Sequence, residues 1–274
     1  MVQENNYKIE KFDPEVLREY DIRGIVDKNI TENTAYSIGR VFGNVVFKQL
    51  NSNNITIGYD GRLTSPKLYD ALSAGLKDSG ANVSNIGICP TPMLYFADYH
   101  LNTDAAIMIT GSHNPPEYNG FKMVLNKHSF FSTNIQNFQK IVQSLDLQKK
   151  KGKIENLNII DDYVKRILKN ISIKNKLKIS WDIGNGAMGV IINQLISKLQ
   201  NTENIIINQE VDGNFPNHHP DPTVPKNMRQ LIDSVKKNKC DIGLAFDGDG
   251  DRLGVVDNLG NLVWADQYML VLCS

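Results

Sequence analysis

Two short loops carry the residue types that chemistry needs. The first, Thr110-Gly111-Ser112-His113-Asn114-Pro115, follows the apolar run Ala105-Ala106-Ile107-Met108-Ile109 and presents one hydroxyl at a predicted strand end. The second, Asp247-Gly248-Asp249-Gly250-Asp251-Arg252, follows Ile242-Gly243-Leu244-Ala245-Phe246. Its aspartates alternate with glycines, so an extended loop turns three carboxylates to one side while Gly248 and Gly250 let the backbone bend around an ion. Oxygen-only ligands select Mg²⁺, Mn²⁺ or Ca²⁺ over zinc or copper. An EF-hand is excluded, because its sixth and twelfth positions would fall on Arg252 and Asn258. A hydroxyl and a hard-cation loop together point to phosphoryl transfer.

Ser112 lacks the Gly-x-Ser-x-Gly elbow of esterases, since Asn114 stands where the second glycine belongs. A phosphoryl group on Ser112 would bring about −1.5 to −2 charges. A metal on Asp247, Asp249 and Asp251 would offset that charge, and Arg252 beside them can fork onto phosphate. Lys122 lies just past the serine and can serve as acid or base if burial or other cations lower its pKa; otherwise it is a surface lysine. His113 either orients a phosphate or packs. Arg23, in Tyr20-Asp21-Ile22-Arg23-Gly24, and Arg62, in Gly58-Tyr59-Asp60-Gly61-Arg62, either touch phosphate or tie loops together. Pro115 and Pro116 keep the serine segment a fixed, exposed loop.

The elements that must position these residues read as α/β. Short apolar runs ending in Gly or Asp alternate with segments of helical period, the pattern of a mostly parallel sheet. Strands are predicted over 55–60, 81–88 and 177–182, and helices over 67–78 and 161–168. Asp104 to Ser112 overlays Asp241 to Asp249 without a gap, and Ile57-Gly58-Tyr59-Asp60-Gly61 overlays Ile179-Ser180-Trp181-Asp182-Ile183. The expectation is two related domains, each a mostly parallel or mixed sheet sandwiched by helices, with the hydroxyl and metal loops at equivalent strand ends facing one cleft. Chance similarity between two buried strands is the alternative.

The chain has 274 residues, enough for about two domains. Thirty Lys and Arg balance thirty Asp and Glu, so no net field favours nucleic acid or an anionic membrane. Cys89, Cys240 and Cys273 form no close pair, which fits reduced thiols in a cytoplasmic protein. The cationic run Gln148-Lys149-Lys150-Lys151-Gly152-Lys153 reads as a solvated connection or, more sharply, a phosphate patch. The loop from Asp212 to Pro222 holds His218 and His219, but no Cys or third His supports zinc, so it reads as structural.

These motifs together resemble the α-D-phosphohexomutase superfamily, most closely its phosphomannomutase/phosphoglucomutase branch. The likeness rests on segments around Arg23, Arg62, Pro90-Thr91-Pro92, Ser112, Asp182, Asp212 and Asp247, in family order. It implies an isomerase that moves a phosphoryl group between the 1- and 6-hydroxyls of a hexose through a phosphoserine and a hexose 1,6-bisphosphate. By that resemblance Ser112 is the phosphoserine, and Mg²⁺ is held by Asp247, Asp249, Asp251 and a phosphoryl oxygen on Ser112. Arg23, His113, Lys122 and Arg252 surround the transferring group, with Lys122 as proton shuttle. The resemblance further implies a first domain over 1–157, a second over 158–260 and the start of a third over 261–274, so a fragment or truncated product is expected. The partner is a small-molecule hexose phosphate, glucose or mannose, with no nucleic acid or membrane, in a monomer or weak dimer. A metal-dependent phosphatase with Asp247 as nucleophile and Asp249 as proton donor, and a non-catalytic sugar-phosphate-binding remnant, are the competing readings.

Overall fold

Apolar runs without helical period form the strands of two separate sheets in the computed structural model, which describes residues 6–145 and 151–273. The chain divides between Ile159 and Ile160 into two units. The first contains β1 (Ile22–Ile25), α1 (Glu32–Leu50), β2 (Asn54–Tyr59), α2 (Ser65–Asp78), β3 (Asn82–Ile88), α3 (Thr91–His100), β4 (Ala105–Ile109), β5 (Tyr118–Leu125) and β6 (His128–Phe130). It continues through the one-turn helices α4 (Thr133–Gln136) and α5 (Phe138–Ile141) to β7 (Ile154–Asn156). Sheet order is β1-β5-β4-β2-β3-β7, with β6 paired to β5. The β4, β2, β3 and β7 strands run parallel, and β5 returns antiparallel to β4.

Every residue of β4 is buried, because the sheet is covered on both faces, and this is why Ala105 to Ile109 reads as an unbroken apolar run. On one face α1 and α2 cross closely. A Cβ at Gly39 would lie 2.4 Å from the Leu72 carbonyl oxygen, and one at Gly75 would lie 2.2 Å from that of Tyr36. Backbone therefore meets backbone at the crossing. Thr31 starts α1 with a reciprocal cap to Thr34, which satisfies two end donors.

The second unit contains α6 (Ile160–Leu168), β8 (Leu177–Asp182), α7 (Ile192–Lys198), β9 (Thr202–Ile207), α8 (Arg229–Asn238), β10 (Ile242–Phe246), β11 (Leu253–Asp257), β12 (Leu262–Val263) and α9 (Ala265–Leu272). Sheet order is β12-β11-β10-β8-β9. The segment β11-β10-β8-β9 repeats the first unit's β5-β4-β2-β3, with one antiparallel pair followed by two parallel pairs. The fold is therefore two related α/β units, each a mixed sheet flanked by helices.

The repeat differs from its sequence overlay in register. Tyr59 pairs with Ile109, whereas Trp181 pairs with Leu244, two residues short of the Phe246 that the overlay implied. A slip of two leaves every side chain on its own face, so an alternation pattern cannot detect it. Burial differs too: β10 alternates between buried and half-buried positions, whereas β4 is buried throughout.

Of the cationic run, Gln148, Lys149 and Lys150 lie outside the described residues, while Lys151 is ion-paired to Asp78 at 2.9 Å. Among the described residues no helix is long and apolar enough to cross a membrane.

Gly75→Ala tests the crossing. Alanine normally gains about 1 kcal/mol in a helix, but here its methyl meets an immovable carbonyl, and overpacking costs about 1–3 kcal/mol. The expected outcome is a lower urea midpoint; a raised one would show that the helices separate without cost.

Candidate functional site

The end of β4 is shaped by one carboxylate and one guanidinium. Asp60, just past β2 and 1 % exposed, accepts on Oδ1 from the Arg62 N–H at 3.1 Å and the Ser65 hydroxyl at 2.7 Å. Its Oδ2 accepts from Arg62 Nε at 3.1 Å, the Thr110 hydroxyl at 2.9 Å and the Gly111 N–H at 3.1 Å. Arg62 is as buried as Asp60. Its Nη1 donates to the carbonyls of Pro115 (2.6 Å) and Tyr118 (3.0 Å), and its Nη2 to those of Ser112 (2.8 Å) and Asn114 (2.7 Å). All five N–H donors of the fork are used. Arg62 is thus a loop tie, the second of the two roles that its position allowed. Gly111 makes the approach possible, since a Cβ there would lie 2.5 Å from Cζ of Arg62.

The loop held this way puts Ser112 in the left-handed region at φ +50°, a conformation that costs a non-glycine residue about 1 kcal/mol or more. The Ser112 N–H donates to the Thr110 hydroxyl at 2.7 Å, and its Oγ lies 3.3 Å from Nδ1 of His113. Ser112 is 2 % exposed, so the expectation of an exposed loop holds only for residues 115–117. The stiff prolines sit at the surface while the fork beneath draws the serine inward.

Arg23 reaches the same loop from β1, which lies beside β5 with Arg23 opposite Gly120. Its guanidinium donates to the Asn114 side chain and to Asp21. Lys122 follows on β5, opposite Met108 of β4 and half-buried. The first unit therefore brings Ser112, His113 and Arg23 onto one loop system, with Lys122 on the adjoining strand.

The second unit carries the aspartates. Asp247 and Asp249 are fully buried and Asp251 is exposed. One ligand oxygen from each can lie within 4.8 Å of the others. The Oδ1 of Asp247 accepts from the N–H groups of Asp251 (3.0 Å) and Arg252 (3.1 Å), which folds the loop back on itself. Gly250, at φ +69°, supplies the bend. Three carboxylates this close, two of them out of water, fit a hard divalent cation, because like charges so placed repel unless neutralised. Arg252 is exposed at the start of β11.

A second strand-end aspartate was noted in the sequence without a role. Asp182, fully buried, accepts from the Gly184 N–H at 3.0 Å, from Asn208 at 2.9 Å and from His218 Nε2 at 2.9 Å. The proline-stiffened loop is anchored by this contact, and the signal that could have found it is the pairing of a strand-end Asp with a loop His. Burial lowers the pKa of His218, but the Asp182 hydrogen bond and charge and the His219 carbonyl together outweigh it and leave the pKa raised.

The description "Phosphoglucomutase/phosphomannomutase, alpha/beta/alpha domain I" fits residues 14–149, and the corresponding domain II description fits residues 161–260. The chain is 47 % identical over 256 residues to a phosphomannomutase/phosphoglucomutase of Pseudomonas syringae pv. tomato, covering 93 % of this chain and 55 % of the relative. It is 41 % identical over 262 residues to a phosphoglucomutase of Neisseria meningitidis serogroup B, covering 95 % of this chain and 56 % of that one. A crystal structure of a phosphoglucomutase/phosphomannomutase family protein from Burkholderia thailandensis superposes with a TM-score of 0.90 at 38 % identity, over 95 % of this chain and 58 % of that one. The chain thus spans just over half the length of the relatives it matches.

Two outcomes are expected. Ser112→Gly relieves the left-handed strain and Ser112→Ala keeps it, so the glycine variant should be more stable by about 1 kcal/mol in urea unfolding; equal midpoints would mean that the serine backbone is unstrained. For His218, whose pKa is raised on folding, the stabilising contribution is full below the unfolded value of about 6.5 and is lost as pH rises through the folded value. The stability gap between the wild type and His218→Leu should therefore narrow as pH rises above the unfolded value of about 6.5; a constant gap would show that the imidazole stays in one charge state.

Proposed function

Because the chain belongs to the phosphoglucomutase/phosphomannomutase family of the α-D-phosphohexomutase superfamily, we propose that it carries the phosphoserine and metal loops of an isomerase acting on hexose phosphates. The observation that carries this reading is the buried, left-handed Ser112 with its backbone clamped by Arg62. A surface turn needs no such clamp. A phosphoryl carrier does, because transfer depends on where the oxygen is held.

In this reading Ser112 Oγ carries the phosphoryl group. A sugar hydroxyl oxygen attacks the phosphorus, the P–Oγ bond breaks, and Oγ takes a proton as it leaves. Lys122 moves the proton from the attacking hydroxyl, and in the return step Ser112 Oγ attacks the phosphorus at the other position of the resulting hexose 1,6-bisphosphate, the sugar P–O bond breaks, and the freed sugar oxygen takes a proton. His113, 3.3 Å from Oγ, orients the ester, while Arg23 and Arg252 offset its charge. Asp247, Asp249 and Asp251 would hold Mg²⁺, which supplies positive charge to the phosphoryl oxygens. Glucose or mannose phosphate is the substrate class, supported by the names of the relatives. No disulfide links Cys89, Cys240 and Cys273, which supports a reducing cytoplasm as the compartment.

Incubation with glucose 1,6-bisphosphate labelled in both phosphates tests the proposal. The chain should take up label that survives hydroxylamine, and Ser112→Ala should take up none. Asp249→Asn should slow labelling by about 10²–10³-fold, the usual cost of removing one preorganised electrostatic group. A hydroxylamine-labile label retained in Ser112→Ala would point instead to an aspartyl phosphate, and no label at all to a binding remnant; either result overturns the reading.

A further inference from the structure

The turn after β8 touches the metal loop through its backbone. Ala187 N–H donates to the Gly248 carbonyl at 2.9 Å, and a Cβ at Gly186 would lie 2.8 Å from that oxygen and 3.1 Å from the Asp247 carbonyl oxygen. Within this turn Gly184 and Asn185 are both left-handed, each at φ +56°. Glycine and asparagine both tolerate that region, and the surroundings select it here.

Those surroundings are polar and converge from three segments. Asn185 donates from its side chain to the Glu210 carbonyl at 2.8 Å, accepts from the Asn217 side chain at 2.8 Å, and exchanges backbone bonds with Asn208 and Asp212. His218 and Asp182 add a charged tie. His218 Nε2 faces the Asp182 carboxylate at 2.9 Å and its Nδ1 faces the His219 carbonyl at 3.0 Å. Both partners are acceptors, so the imidazolium, with hydrogen on both ring nitrogens, is the form that satisfies both contacts. The Gly184 N–H donates to the same carboxylate, and a Cβ at Gly184 would lie 3.3 Å from the Phe246 carbonyl oxygen and 3.7 Å from the His218 ring. The ion pair therefore grips the turn that abuts Phe246, Asp247 and Gly248.

We propose that Asp182 and His218 form a positioning pair that pins the residue 183–187 turn against the Asp247–Asp251 loop and so sets the loop's geometry for a divalent cation. The cation part rests on the metal reading of that loop. Partners that orient metal ligands from behind change affinity by about 10–100-fold when removed.

The test uses the whole chain with Mn²⁺ as the probe. His218→Leu should weaken Mn²⁺ binding in calorimetry by about tenfold, and should speed hydrogen exchange of the Ala187 amide relative to the β8 amides. Asp182→Asn, which keeps size and loses charge, should do the same and carries the test if the leucine variant does not fold. Unchanged Ala187 exchange overturns the proposal, as does equal acceleration at Ala187 and across β8, which would mark a general loss of stability. If the wild type binds no Mn²⁺, the metal reading fails by itself, and the Ala187 exchange alone decides whether the pair positions the turn.

Discussion

The serine loop depends on one buried guanidinium with every donor in use. Arg62 joins the end of β2 to four carbonyls between Ser112 and Tyr118, and Asp60 balances its charge while bonding the next strand's Thr110 and Gly111. A buried charge without such partners would be prohibitive. With them, the loop backbone acquires a rigidity that hydrophobic packing alone does not give to six polar or glycine-rich residues. The left-handed serine, the inward hydroxyl and the reach of Arg23 to Asn114 all rest on that frame.

Much of the architecture was legible because its signals are local. The strand over 177–182 matched to the residue, and the strands over 55–60 and 81–88 and the helix over 161–168 lay within one residue of the observed bounds. The helix expected over 67–78 begins at Ser65, because Pro66 is tolerated in the first turn, where its missing N–H has no partner to lose. The alternation of Asp with Gly exposed the carboxylate cluster for the same reason, since ligands from one loop need no tertiary information.

Other features had no local signal. Whether Arg62 meets phosphate or carbonyl depends on where residues 112–118 pass, about fifty positions away in sequence. The tie between Asp182 and His218 spans 36 residues and joins a strand end to a proline-rich loop. The two-residue difference in register between the sheets is invisible to any pattern of period two.

The shared order of β5-β4-β2-β3 and β11-β10-β8-β9 shows one scaffold with two different endings. In both, a carboxylate at the end of the central strand, Asp60 or Asp182, is consumed by structure. Only in the second are further carboxylates gathered into the neighbouring loop.

The left-handed backbone at Ser112 also limits which chemistry this position can explore. Threonine offers the same hydroxyl, but a β-branched residue at φ +50° is a genuine outlier, so the fold excludes it on backbone grounds before reactivity is considered. Aspartate and asparagine tolerate that region far better. A carboxylate in place of the serine would thus fit the existing main chain better than the other alcohol does.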